Sequence, residues 1–147
     1  MTADDAYRTQ VRIDAEPGDV FPYLTDPDLL RRWMGEWADL EPRPGGRFEA
    51  HITGVPVRGE YLVVEPPHRI VFTWGTPGSD VVPAGSSTVE VTLRSDGGGT
   101  LLELEHRDLP PDELPRHGTG WDHYLPRLAL AAGGADPGPD AWADAGG

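Results

Sequence analysis

Cysteine and lysine are both absent from this chain of 147 residues. Without cysteine there is no disulfide, no thiolate to hold zinc and no thiol nucleophile. Without lysine every basic side chain is an arginine, and positive charge is scarce: 12 arginines face 25 acidic residues, for a net charge of −13. That balance excludes nucleic acid and an anionic membrane surface as partners. No apolar run approaches the ~18 residues that would span a bilayer. The N-terminus, MTADDAYRTQVRID, lacks both the basic and the apolar regions of a secretory signal. A cytoplasmic location is the expectation, and the richness in Arg, Ala, Gly, Pro and Asp fits the codon usage of a GC-rich bacterium.

Chemical signatures are also missing. Gly97-Gly98-Gly99 sits in a hairpin connector, not after a strand as a phosphate loop would. Ser86-Ser87 falls in a Gly/Pro/Ser loop over 75–87 and not at a strand-to-helix elbow, so no serine nucleophile has a recognisable context. His117 and His123 do not have metal-ligand spacing and no third ligand lies near them. No metal, no cofactor and no catalytic residue is assigned.

What is present is mostly alternation. Tyr7, Thr9, Val11 and Ile13 share one face of a strand over Tyr7–Ala15. Glu16-Pro17-Gly18-Asp19 breaks it, and Val20, Phe21 and Leu24 follow at helical spacing. Asp26-Pro27 reads as N-cap and first-turn proline of a second short helix, Asp28 to Met34. Those two helices leave the first strand without a nearby hairpin partner. Further strands follow over Arg47–Thr53 (Phe48, Ala50 and Ile52 inward), Arg58–Glu65, Arg69–Trp74, Thr88–Arg94 and Thr100–Arg107 (Leu102, Leu104 and His106 inward). Pro66-Pro67 and Asp96–Gly99 supply turns. Arg58–Glu65 carries apolar residues on both faces; with Tyr61 and Val63 inward, Arg58 and Glu60 are solvated, and with Leu62 and Val64 inward they form an internal ion pair that could anchor a ligand. His51 belongs outside.

Trp121, Leu125 and Leu128, with Tyr124 beside them, mark an amphipathic helix from about Gly120 to Ala132. Pro126 inside it costs ~3 kcal/mol through a lost backbone bond and a clash. Burying Trp121, at ~200 Å² and ~25 cal/mol/Å², returns ~5 kcal/mol, so the helix survives with a kink. The expected organisation is one domain over 1–132 and a Gly/Pro/Asp-rich flexible tail over 133–147, in which Trp142 is the one residue able to act as an anchor.

The fold class that follows is α+β: a curved antiparallel sheet of about six strands wrapped around a long C-terminal helix, with two short helices after the first strand. The motifs that carry a family resemblance run in order along residues 7 to 132. They are Val11–Ile13, Pro17-Gly18-Asp19-Val20-Phe21, Asp28-Leu29-Leu30-Arg31-Arg32-Trp33 and Pro44-Gly45-Gly46-Arg47-Phe48. Gly59-Glu60-Tyr61 then leads into Pro66-Pro67-His68-Arg69-Ile70-Val71-Phe72-Thr73-Trp74, followed by Gly98-Gly99-Thr100 through His106 and Gly120-Trp121 with Leu125 and Leu128. Through them the chain resembles the START/polyketide-cyclase-like (SRPBCC) superfamily, in the branch similar to the activator of heat-shock-90 ATPase. The resemblance implies a helix-grip fold, and it implies no single reaction, because binders, cyclases, hydrolases and co-chaperones share it.

Three functions remain open. The first is binding of a hydrophobic or aromatic small molecule in an internal pocket between sheet and C-terminal helix. Its expected walls are Trp33, Met34 and Trp37 at the mouth, Phe48, Phe72 and Trp74 from the strands, and Trp121, Tyr124 and Leu125 from the helix. His106 is the one inward polar residue, either a core histidine bonded to a carbonyl or to Tyr124, or a ligand contact or acid/base group. The second is a co-chaperone-like protein-partner module, for which the acidic surface suggests a basic partner and an interior without a cavity is expected. The third is a cyclase or hydrolase acting on a polyketide-like substrate, which needs two convergent polar groups in the pocket. A homodimer would form at an exposed edge, the first strand or the strand after Gly45.

Overall fold

The alternating stretches pair in a single antiparallel sheet in the computed structural model, which describes residues 6–140. Its strands are β1 (Ala6–Ile13), β2 (Trp37–Leu40), β3 (Arg47–Ile52), β4 (Val55–Glu65), β5 (Arg69–Trp74), β6 (Ser87–Asp96) and β7 (Gly99–Arg107). The order across the sheet is β1-β7-β6-β5-β4-β3-β2. β1 has no local partner because helical turns Pro17–Val20 (α1), Phe21–Leu24 (a 3-10 turn) and Pro27–Leu30 (α2) follow it. It pairs instead with β7, with Tyr7 opposite His106 and Val11 opposite Leu102.

The sheet has seven strands, one more than the alternation gives. The extra strand is β2, whose Trp37 lies opposite His51 and Leu40 opposite Phe48. Four residues carry no readable period, and β2 is instead held by its entry. The Glu36 carboxylate accepts the N–H groups of Thr53 (3.0 Å) and Gly54 (2.8 Å), and the Glu36 N–H donates to the His51 carbonyl at 2.8 Å. β3 is therefore paired on both sides, and the free edges are β1 and β2, not the strand after Gly45. The two apolar faces of β4 have a simple cause. A register shift between Tyr61 and Val63 switches the strand's parity, so Tyr61 and then Val64 face the core while Leu62 is exposed. Arg58 and Glu60 are exposed, as their parity requires.

Asp26 caps α2 as expected, its carboxylate accepting the N–H groups of Asp28 and Leu29. That helix ends at Leu30, and Arg31–Met34 continue as turns. The long helix α3 begins at Leu114, ahead of the expected Gly120, and runs unbroken through Pro126 to Ala132. Gly118 lets it approach the sheet, since a Cβ there would stand 2.6 Å from the Tyr7 ring. The Tyr7 hydroxyl donates to Asp122 on the same helix. Arg127 ties α3 to the turn after α2 by donating to the Trp33 carbonyl at 3.2 Å. Residues 133–140 turn back along α3, where Arg127 donates to the carbonyls of Pro137, Gly138 and Pro139 and His123 Nε2 meets Asp140 at 2.8 Å. Trp142 and the rest of 141–147 lie outside the described residues.

The sheet's outer face is a ladder of ion pairs: Arg69 meets Glu90 at 2.8 Å, Glu90 meets Arg107 at 2.8 Å, and Arg107 meets Glu105 at 2.8 Å. The Arg69 hydrogen bond holds the Glu90 carboxyl below its ordinary range. Glu103 and Glu105 thus belong to a solvated face, opposite the inward Leu102, Leu104 and His106. No helix among the described residues is long and apolar enough to cross a membrane.

Candidate functional site

Sheet and α3 enclose two unequal spaces. Deep in the grip is a void of about 10 Å³ lined by Trp33, Met34, Phe48, Phe72, Leu125 and their neighbours. It is closed by aromatic packing. Phe48 and Phe72 stack with centroids 4.1 Å apart, and Tyr61 meets Phe48 edge-on at 5.7 Å while its hydroxyl donates to the Leu24 carbonyl at 3.0 Å. Trp33 is 1% exposed and its indole N–H is taken by the Tyr23 carbonyl at 3.0 Å. Four of the expected walls, Trp33, Phe48, Phe72 and Leu125, are thus core side chains around a space smaller than a ligand.

At one end of the grip the gap opens. A cavity of about 340 Å³ lies between the β3–β4 turn, the 75–86 loop and the first half of α3. Its apolar lining is Met34, Ile52, Val57, Trp74, Trp121 and Tyr124, and Val55 and Val81 form an exposed apolar rim. Its polar lining is Thr53, Thr76, Ser79, Glu113, Arg116 and His117. Of the expected walls, Met34, Trp74, Trp121 and Tyr124 come together here. Trp37 does not: it stands 44% exposed on β2, its ring 4.9 Å from that of His51. Larger but more open grooves on the outside of the sheet are walled by pairs such as Arg8 and Glu105, and no aromatic side chain lines them.

The loop that roofs the cavity is held close to the sheet. The Thr76 N–H donates to the Val82 carbonyl at 2.8 Å, and Gly85 N–H donates to the Arg58 carbonyl at 3.1 Å. Gly75 has no room for a side chain, because a Cβ would stand 1.8 Å from the Pro83 carbonyl oxygen. On the helix side Gly120 lines the cavity, and a Cβ built there meets nothing within 4 Å.

His106 is not in the cavity lining. It is fully buried behind Trp74 and Trp121, in a polar chain. The Trp121 indole N–H donates to His106 Nδ1 at 3.0 Å. An indole nitrogen can only donate, so Nδ1 is the acceptor and Nε2 carries the proton. That proton points to Ser87 Oγ at 2.8 Å, and the Ser87 hydroxyl donates to the Trp74 carbonyl at 2.8 Å. Every group in the chain is satisfied, which burial demands. Burial, helped by the neighbouring His117, lowers the His106 pKa to about 3, so the ring stays neutral. Its partners are Trp121 and Ser87, not the carbonyl or Tyr124 expected from the sequence. Ser87 itself is missed by sequence reading: it looks like loop, yet it is the first residue of β6 and fully buried.

The polar side of the cavity comes from the start of α3, where sequence reading places no helix. His117 Nδ1 lies 3.0 Å from the Glu113 carbonyl and 3.7 Å from the Glu113 carboxylate, and its ring meets that of His106 edge-on at 5.1 Å. Tyr124 presents its ring to the cavity, and burial, with Asp140 beside it, pushes its hydroxyl pKa up. Met34 and Trp121 line both spaces and form the partition between them.

Comparison with known proteins agrees with this architecture. The sequence pattern of the family described as Activator of Hsp90 ATPase homolog 1-like protein matches residues 14–133. Among solved structures, an AHSA1-like protein from Rhizobium etli is 44% identical, with 96% of this chain and 92% of that one covered and a TM-score of 0.74. CalU16 from Micromonospora echinospora is 33% identical, over 88% of this chain and 76% of that one, with a TM-score of 0.70. An Hsp90 activator from Plasmodium falciparum is 25% identical, over 84% of this chain and 92% of that one, with a TM-score of 0.70. No curated protein sequence matches the chain.

Proposed function

The chain belongs to the Activator of Hsp90 ATPase homolog 1-like family, and from its cavity we propose that it binds a flat hydrophobic or aromatic small molecule at the open end of the grip. The observation that carries the reading is the cavity of about 340 Å³ with Trp74, Trp121 and Tyr124 as walls, within the ~300–1,000 Å³ of small-molecule sites. Aromatic walls favour a ring system by offset stacking and apolar burial. The His106–Ser87 chain supports the same reading. By engaging the Trp121 indole N–H and the main-chain carbonyl of Trp74 it fixes the Trp121 ring and the backbone that carries Trp74, so this part of the wall is set before a ligand arrives. The contacts proposed are Met34, Ile52, Val57, Trp74, Trp121 and Tyr124.

The test is a titration of the full chain with a neutral flat aromatic, 2-naphthalenemethanol, followed through the indole N–H resonances. The Trp74 and Trp121 signals should move and saturate, while that of Trp33, locked in the core, stays. Movement of Trp37 alone, or of none, defeats the reading.

Two other readings are weaker. A hydrolase built on Ser87 and His106 is disfavoured, because Ser87 is inaccessible and His106 Nδ1 accepts from an indole, leaving no free base to activate the hydroxyl. A protein-partner module, suggested by the likeness to an Hsp90 activator, finds support in Trp37, exposed on the β2 edge. It predicts that Trp37→Ser abolishes partner capture and leaves the naphthalenemethanol titration unchanged.

A further inference from the structure

One charge at the cavity mouth has no counterpart. The arginines of the sheet's outer face sit against carboxylates, as Arg69 and Arg107 do on Glu90, and Arg127 is taken up by backbone carbonyls. Arg116 lines the cavity and makes no hydrogen bond or ion pair among the described residues. Acidic residues outnumber arginines 25 to 12, and two of them, Asp112 and Glu113, precede Arg116 by four and three positions on the same helical path. That spacing is the one that forms helix ion pairs. Neither takes the guanidinium: Glu113 has its carboxylate 3.7 Å from His117 Nδ1, and Asp112 is exposed.

The remaining polar lining from strand turn and loop, Thr53, Thr76 and Ser79, is neutral. Arg116 is thus the fixed positive charge of the cavity, set at its rim beside an aromatic floor. A guanidinium offers a planar fork of donors that matches a carboxylate with two parallel bonds. The charge of the rest of the chain is screened beyond ~8 Å at physiological salt, and the one acidic group of the lining, Glu113, lies on the side of His117.

Resting on the reading of the cavity as a ligand site, we propose that its ligand is an aromatic carboxylate, with the ring system on Trp74 and Trp121 and the carboxylate on Arg116. An exposed pair of this kind is worth about a fivefold gain in affinity.

Two probes that share one ring system separate this inference from the reading beneath it: 2-naphthoate and 2-naphthalenemethanol, titrated calorimetrically into the full chain at neutral pH. Naphthoate should bind about fivefold more tightly than the alcohol, by the arithmetic above. In R116Q that preference should vanish while the alcohol keeps its affinity, and R116K should restore part of it. The position is exposed, so R116Q folds normally. Equal binding of the two probes to the wild type, or a preference that survives R116Q, overturns the carboxylate inference and leaves the cavity reading standing. If neither probe binds, the cavity reading fails and the inference with it.

Discussion

The two spaces under the sheet share Met34 and Trp121 as a partition, yet one is closed to about 10 Å³ and the other is open at about 340 Å³. Both lie between the same sheet and the same helix. The inner one is closed because large rings from neighbouring strands meet each other, Phe48 on Phe72 and Tyr61 on Phe48. The outer one is open where its lining includes small or β-branched groups, Val57 on β4, Val82 on the roofing loop and Gly120 on α3. The His106 chain keeps Trp121 out of the opening by holding its indole N–H, and it ties the backbone of Trp74 to Ser87. Room for a ligand therefore depends on which side chains face each other across the gap, and not on the helix-grip architecture.

The comparison breaks most easily from the inside. Phe72→Ala should cost ~3–5 kcal/mol, because it removes a buried ring and leaves a hole where the stack was. Denaturant unfolding should show it as a large loss of midpoint; a loss below ~1 kcal/mol would mean that the interior is already loose.

The partition is tested by pH. The folded-state pKa of His106 is about 3, well below the ordinary value of 6.5, so the unfolded chain binds a proton that the folded chain refuses. The contribution of His106 is then fully present above about pH 6.5 and is lost as pH falls toward the folded value, at roughly 1.4 kcal/mol per pH unit. Carboxylates such as Glu90, whose pKa is lowered by Arg69, add acid destabilisation of the same sign at lower pH. The difference between wild type and His106→Leu isolates the histidine: the variant should be less stable at pH 7.5 but should lose less stability between pH 6.5 and 5. Parallel curves would mean that the imidazole is not held neutral.

The two helix glycines sharpen the contrast with substitutions of opposite sign. Gly118→Ala drives a Cβ to 2.6 Å from the Tyr7 ring and should cost ~1–3 kcal/mol. Gly120→Ala meets open space and should gain ~0.5–1 kcal/mol, since glycine is the poorer helix former. A loss at both positions would place Gly120 in a packed environment and close the mouth.

Much of the fold could be read from residue order. Period-two alternation identified β1, β3, β6 and β7 and their inward faces, down to His106, because alternation reports directly which face is dry. The two short helices showed that β1 has no local partner, but not which strand it joins; that is β7. Three things were hidden. β2 is held by the Glu36 carboxylate on a distant turn, which no window around Trp37 reveals. The start of α3 is masked by Pro115, Gly118 and Gly120, poor helix formers that are kept for a close approach and an open mouth. With that turn went Glu113, Arg116 and His117, and so the polar side of the cavity. The candidate walls divided for a related reason: a pattern shows that Phe48 and Phe72 point inward, but not that they point at one another.

The proposed ligand site is the open end of the grip. Gly120→Phe tests it most directly, since the new ring would extend from α3 into unoccupied space without a backbone clash. Titrated with 2-naphthalenemethanol, the variant should keep or raise the wild-type melting temperature and lose the saturable shift of the Trp74 and Trp121 indole signals. Wild-type binding by a well-folded Gly120→Phe chain would contradict the account.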